Sequence, residues 1–320
     1  AIMCAFYRDD SQQLCVDGLS LADITTTYGS PLYVYSGSGI TEAFTQFQAA
    51  VAPVSGKVHF AMKANSNQAV LRTLANLGAG MDVVSEGELR RARAAGVPGS
   101  RITFSGVGKT AREIALALDE NILCFNVESE PELLTISEIA TQKAIKARIS
   151  VRVNPDVDAK THEKIATGKK ENKFGIPISK AREVYAQAAH LPGLQVVGID
   201  VHIGSQLVDL APFEAAYAKV ADLVEVLRAD GHEIIRLDLG GGLGIPYARD
   251  NAAPPVPLEY GAMIKRTLSH LDCEIEIEPG RLISGNAGLM VSKVIYVKEG
   301  EDRQFLIIDG AMNDLIRPAM

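Results

Sequence analysis

A lysine ending an apolar run, a carboxylate and a guanidinium three residues apart, and a run of glycines carry most of the chemistry this chain can do. Lys63 closes the run HFAMK. Alone it reads as a surface charge. Held among apolar neighbours, its pKa would fall and the free amine could form a Schiff base. Glu278 and Arg281 end the alternating segment CEIEIE as EPGR. Besides a salt-bridged turn, this pair offers a carboxylate that can keep a heterocyclic nitrogen protonated and a fork that grips carboxylate or phosphate. The run GGGLG at 240–244 lacks the full GxGxxG spacing and a following ribose-binding acid, so a dinucleotide site is poorly supported. Besides serving a plain turn, its bare backbone N–H groups suit a phosphate. GKT at 108–110 is not a P-loop, because Thr103 stands where the first glycine is needed, and Lys109 reads as a helix-start residue on the solvent face.

These residues need a frame that brings strand ends together. Short β-branched runs alternate with amphipathic stretches, the pattern of a parallel α/β fold. Eight strands are predicted at 58–62, 80–84, 101–105, 122–127, 148–153, 196–201, 235–239 and 274–278. About 27 residues per unit suits a (β/α)8 barrel of the TIM type, in which reactive groups sit at strand carboxyl ends. Reading those ends yields Lys63, Asp82 with Ser85, Ser105, 126–128, Arg152 with Asn154, His202 with Ser205, 240–244 and 278–281. His202 alone reads as a structural histidine, or as a stacking partner beside a flat ring. The polar stretch 156–173 reads as a long loop of the functional kind. Outside the barrel, 290–297 and 304–309 read as two antiparallel strands joined by KEGEDR, too little to bury a core alone.

The 320 residues carry 32 Lys and Arg against 39 Asp and Glu, a net charge of −7, which argues against a nucleic-acid partner. No apolar run reaches the ~18 residues of a membrane span, and the first ten residues lack a secretory pattern, so a cytoplasmic setting is expected. Cys4, Cys15, Cys124 and Cys273 show no CxxC spacing, with Cys124 and Cys273 placed in strands, and the six histidines form no HExxH, so no metal is expected.

At these residues the chain resembles the fold-type III pyridoxal-phosphate enzymes, and within them the diaminopimelate decarboxylase family. The matching stretches run from PLYVY at Pro31 through HFAMKANSN, GAGMDVVSEGEL, FSGVGKT, SVRVNPD, THEKIATGKKENKFGI, VVGIDVHIGSQ, LDLGGGLGI and EPGRLISGNAG to MNDLIRP, which ends at Pro318. The resemblance implies a barrel over 30–278 that binds pyridoxal 5'-phosphate, and a β domain, here incomplete, from 1–29 and 279–320. It implies that Lys63 holds the cofactor as a Schiff base, that His202 stacks on its ring and that Glu278 pairs with its pyridine nitrogen. Ser205, Gly241, Gly242, Gly280 and Arg281 would hold the phosphate, while Asp82 and Arg152 line the ring side. Arg281 and Arg317 would bind substrate carboxylates, under a loop carrying His162 and Lys173. The implied reaction is decarboxylation of meso-2,6-diaminopimelate at its D centre to L-lysine, the last step of lysine biosynthesis, by a homodimer. The family also completes its pocket with a cysteine–glutamate segment, the cysteine coming from the partner subunit, and a later tyrosine. None of the four cysteines matches that motif, so the chain is expected to be truncated, keeping a cofactor site without full activity.

Two alternatives stay open at this point. One is an ornithine- or lysine-type decarboxylase or a racemase on the same barrel; a diamine-forming enzyme would have no use for a second carboxylate-binding arginine at 317. The other is a non-catalytic pyridoxal-phosphate-binding homologue.

Overall fold

Period-two alternation decides which way each strand faces. The computed structural model describes residues 5–158, 173–247 and 254–316. Within them eight parallel strands follow in chain order: β1 (Lys57–Ala61), β2 (Gly80–Val83), β3 (Ile102–Phe104), β4 (Cys124–Val127), β5 (Ala147–Asn154), β6 (Leu194–Asp200), β7 (Arg236–Asp238) and β8 (Glu274–Ile277). Each pairs with the next, and β8 pairs with β1 through Glu276↔Lys57 and Ile277↔Val58, which closes the barrel. All eight predicted strands are present within two residues of their expected ends.

The outward positions are uniformly apolar. Phe60, Met81, Ile102, Phe104, Ile149, Val151, Ile199, Leu237 and Ile277 are buried to 1% exposure or less. Amphipathic helices cover them, among them Gln68–Asn76, Glu86–Ala94, Ala111–Asp119, Glu130–Gln142, Ala211–Ala229 and Pro257–Leu268. The helix starts are fixed locally. Asn67 and Ser85 accept hydrogen bonds from the backbone N–H groups of Ala69 and Glu88. Thr110 and Glu113 form a reciprocal capping box.

The inward positions are polar, which barrels filled by Val, Ile and Leu avoid. Register places His59 beside Gly80, Asp82 beside Thr103, Asn126 beside Ser150, Arg152 beside Asp200, and Asp238 beside both Asp200 and Glu276. Such an interior is stable only when its polar groups are paired, and the pairing defines the site below.

The described chain divides into two units, 41–283 and 1–40 with 284–320. The second unit carries the antiparallel strands Phe6–Arg8, Leu14–Val16 and Leu19–Ser20, the helix Leu21–Tyr28, and the pair Leu32–Tyr35 with Gly288–Val291. Val16, Leu21 and Val34 form its buried cluster. The single strand expected over 290–297 is two. Gly288–Val291 pairs with Leu32–Tyr35, and Val294–Glu299 pairs with Gln304–Ile308. The break falls at Ser292–Lys293, where the Lys293 N–H donates to the Asp309 carboxylate at 2.8 Å instead of extending one ladder. Cys124 lies in β4, whereas Cys273 stands just before β8. Among the described residues no helix is long and apolar enough to cross a membrane.

Candidate active site

The polar interior has two layers. In the lower one, Arg236 is 2% exposed and donates to Glu276, to Thr103 Oγ1 at 3.1 Å and to Ser150 Oγ at 3.3 Å. His59 Nδ1 lies 3.0 Å from Glu276 Oε1, which also accepts from Thr103 at 2.8 Å. Burial alone would raise the Glu276 carboxyl. Arg236 and His59 outweigh it and hold that carboxyl far below the usual range.

The upper layer opens at the strand carboxyl ends. Lys63 stands on the short turn Met62–Ala64 after β1, its side chain 59% accessible and its Nζ 3.7 Å from Asp82 Oδ2. Asp82 itself is buried in β2. Here the structure corrects the sequence expectation of apolar surroundings and a lowered lysine pKa. Desolvation lowers Lys63, but the charges of Asp82 and Glu278 more than offset it, so the ammonium is held above its ordinary value. Glu278 follows β8, is buried, and its Oε1 has no hydrogen-bond partner. Burial first, then Asp238, Asp82 and Asp200, push its carboxyl well above the usual range. Carboxylate oxygens of Asp200, Asp238 and Glu278 lie within 4.8 Å of one another. Three anions that close in a buried site cannot all ionise at neutral pH, and desolvation with the neighbouring Glu276 charge pushes Asp238 to about 6.

The phosphate candidates gather where β6, β7 and β8 end. A Cβ on Gly241 would lie 2.3 Å from the Glu278 carbonyl oxygen. One on Gly242, at φ +117°, would lie 2.5 Å from that of Gly204. Only bare backbone fits this seam. Ser205 Oγ accepts from Arg281 Nη2 at 3.4 Å, and Gly280 immediately precedes Arg281. The buried orphan oxygen of Glu278, the Cβ-free seam beside Ser205 and Arg281, and the accessible amine of Lys63 fit a phosphorylated pyridine aldehyde. His202, two residues past β6, accepts at Nδ1 from the Gly241 N–H at 3.2 Å. Burial, with Arg152 and Lys63, holds its pKa well below normal, leaving a neutral ring.

Arg152 is also at the mouth. It donates to Glu128 Oε1 at 2.8 Å and lies 4.9 Å from the Phe174 ring centre, and Glu128 Oε2 accepts from the Gly175 N–H at 2.8 Å. Glu128 therefore ties the end of the loop after β5 to a site arginine. Lys109 corrects a second expectation. Instead of facing solvent, its side chain is 1% exposed and donates to Glu132 at 2.6 Å and to the carbonyls of Gly106 and Asn126. Tyr247, which accepts a hydrogen bond from Arg281, escaped the sequence reading altogether. So did Asp200 and Asp238, because each lies inside an apolar run and only strand direction turns it inward. Ser85 caps the helix that starts at Glu86, and Lys173 is exposed. Cys4, His162 and Arg317 lie outside the described residues.

Comparison with known proteins points one way. Residues 38–285 match the family model described as pyridoxal-dependent decarboxylase, pyridoxal binding domain. Diaminopimelate decarboxylase of Vibrio cholerae is 50% identical over 315 residues, covering 98% of this chain and 75% of the relative. That of Zymomonas mobilis is 48% identical, covering 96% and 74%. Among solved structures, diaminopimelate decarboxylase from M. jannaschii in co-complex with L-lysine superposes with a TM-score of 0.92 at 38% identity, covering 98% of this chain and 75% of that one. Lysine decarboxylase from Selenomonas ruminantium superposes less well, at 0.81 and 26%, covering 94% and 75%.

Proposed function

Because the chain belongs to the pyridoxal-dependent decarboxylases and, among them, to the diaminopimelate decarboxylase family, we propose that its barrel mouth is the site at which that reaction is carried out. The function is pyridoxal-phosphate-dependent removal of the carboxylate at the D centre of meso-2,6-diaminopimelate, giving L-lysine. It makes the protein a carbon–carbon lyase. The observation that carries this reading is the accessible Lys63 amine and the buried, unpartnered Glu278 oxygen on the same strand-end face.

Each residue has a task that its surroundings support. Lys63 is the amine that would hold the cofactor aldehyde, with Asp82 as its counter-ion. Ser205, the backbone at Gly241, Gly242 and Gly280, and the Arg281 guanidinium would hold the phosphate. His202, neutral and pinned through Nδ1, presents a flat face for stacking, and Arg152 lines the ring side. Glu278 would sit against the ring nitrogen. When bound, the cofactor supplies an electron sink for the pair left by the departing carboxylate, and a protonated ring nitrogen deepens it. Arg281 and Arg317 would take the substrate carboxylates. The chain spans about three quarters of the curated relatives it matches. We further infer a pyridoxal-phosphate-binding barrel over 30–278, a β domain from 1–29 and 279–320, a homodimer, and a cytoplasmic enzyme.

The ornithine- or lysine-type alternative loses ground to the identity gap, 38–50% against 26%. Protein reconstituted with pyridoxal phosphate, reduced with borohydride and mapped by peptide mass should carry the label on Lys63, and Lys63→Ala should carry none. In parallel, meso-diaminopimelate should release carbon dioxide and L-lysine faster than ornithine releases its diamine. Label on another residue, or faster turnover of ornithine, would overturn the assignment.

A further inference from the structure

Asp238 lies behind Glu278 and does not belong to the set that would touch the cofactor. Its two oxygens are occupied: Oδ1 accepts from the Gly240 N–H at 3.0 Å, and Oδ2 accepts from Asn126 Nδ2 at 2.8 Å. Arg236 stands 3.9 Å away, a fixed positive charge buried with it. Every one of these neighbours favours the anion. Glu278 has the opposite setting. One of its carboxylate oxygens lies within 4.8 Å of those of Asp238 and Asp200, and Oε1 has no hydrogen-bond partner. Buried carboxylates this close cannot all ionise, so one of them carries a proton. The donors around Asp238 decide which one does.

We propose that Asp238 is a positioning residue that keeps a proton on Glu278, so that Glu278 meets the cofactor as a neutral acid and hands that proton to the pyridine nitrogen. This rests on the reading of Glu278 as the ring-nitrogen partner. The balance is simple. The Glu278 O–H bond breaks, the ring nitrogen uses its lone pair to form N–H, and Glu278 is left as a carboxylate against a pyridinium. No net charge enters the barrel, which matters because Asp82, Asp200 and Glu276 already oppose a further anion there. Lys63 and Arg152 act on Glu278 from across the mouth with the opposite sign, and Arg236 does so on Asp238. The arrangement thus assigns the aspartate two residues before the triple glycine a part in cofactor chemistry as well as in loop geometry.

Infrared spectroscopy of the full chain without cofactor tests this directly. At pH 7 the protein should show a protonated-carboxyl band that Glu278→Gln removes. In Asp238→Asn the band should titrate away at a pH lower by about one unit or more, since a neighbouring negative charge is gone. In Asn126→Ala it should titrate at a higher pH, because Asp238 loses a donor and the pair binds its proton more tightly. Opposite movements are not what simple loosening of the barrel produces. Should Asp238→Asn fail to fold, Asn126→Ala decides alone. Adding pyridoxal phosphate should abolish the band, whereas its 1-deaza analogue, which lacks the ring nitrogen, should leave it. No Glu278-dependent band at pH 7, unmoved midpoints, midpoints moving together, or equal loss with the analogue would each overturn the proposal. Failure of borohydride to label Lys63 would instead overturn the reading of the site, a separate result that leaves the cofactor-free band intact.

Discussion

Arg236 shows at the residue scale why the barrel interior tolerates so many charges. It meets Glu276 directly and Asp238 at 3.9 Å, with Thr103 and Ser150 taking further donors. Removing one partner of a buried pair leaves an uncompensated charge, which costs about 3–5 kcal/mol. Arg236→Met should therefore lower the free energy of unfolding by that amount in denaturant titration. The double variant with Glu276→Met should recover much of it, since two apolar groups need no partner. Double-variant stability equal to the sum of two large losses would mean that the pair is not the unit of stabilisation. Residues of this kind were partly legible. Lys63, Asp82, His202 and Glu278 stood out because each ends or interrupts an apolar run. Lys109 was misread because a polar residue at a helix start ordinarily faces water, and nothing local reveals that Glu132, 23 positions on, buries it.

At the scale of elements, the seam among the ends of β6, β7 and β8 fixes where an anion could sit. Leu207 N–H donates to the Gly242 carbonyl at 2.9 Å, and Gly244 N–H returns to Leu207 at 2.8 Å. Gly242 thus belongs to a backbone-to-backbone contact with no space for a side chain. Gly242→Ala adds a Cβ 2.5 Å from the Gly204 carbonyl at a positive φ, a strain of about 1–3 kcal/mol. The expected result is a modest fall in stability together with at least a roughly tenfold loss of pyridoxal-phosphate affinity, since 1.4 kcal/mol is a factor of ten. Equilibrium dialysis would check it; unchanged affinity would separate the seam from the phosphate. The strands were legible from periodicity, and the triple glycine from composition. Which backbone each glycine meets was not, because that depends on strands some forty residues apart in sequence. The split of 290–297 into two strands was hidden for a related reason: it turns on Asp309 capturing the Lys293 N–H.

For the whole molecule, the balance of buried acids sets how stability responds to pH. Asp200 and Glu278 are held well above, and Asp238 at about 6, so these groups bind protons in the folded state that the unfolded chain, with carboxyls near 4, releases. A raised carboxyl contributes stability that is present below its unfolded value and lost as pH climbs through its folded one. His202 works the other way. Its lowered pKa means the unfolded chain takes a proton first as pH drops through about 6.5, which costs stability there. Burial raises Asp82, Glu88 and Glu132 as well, so one histidine against six raised carboxyls leaves the net slope favouring acid down to roughly pH 5. Below about pH 4 the sign reverses. Glu276, Glu86 and Asp309 are held low, so their protonation in the unfolded chain draws the equilibrium away from the fold. Without cofactor, the melting temperature should accordingly peak near pH 5–6 and fall toward pH 8 by about 3 °C or more. Asp238→Asn removes one proton-binding group and lowers a second, so its melting curve should be flatter between pH 6 and 8. A melting temperature that rises steadily from pH 5 to pH 8 would show that the carboxylates of the barrel mouth stay ionised throughout, and that the proton assigned to Glu278 is not there.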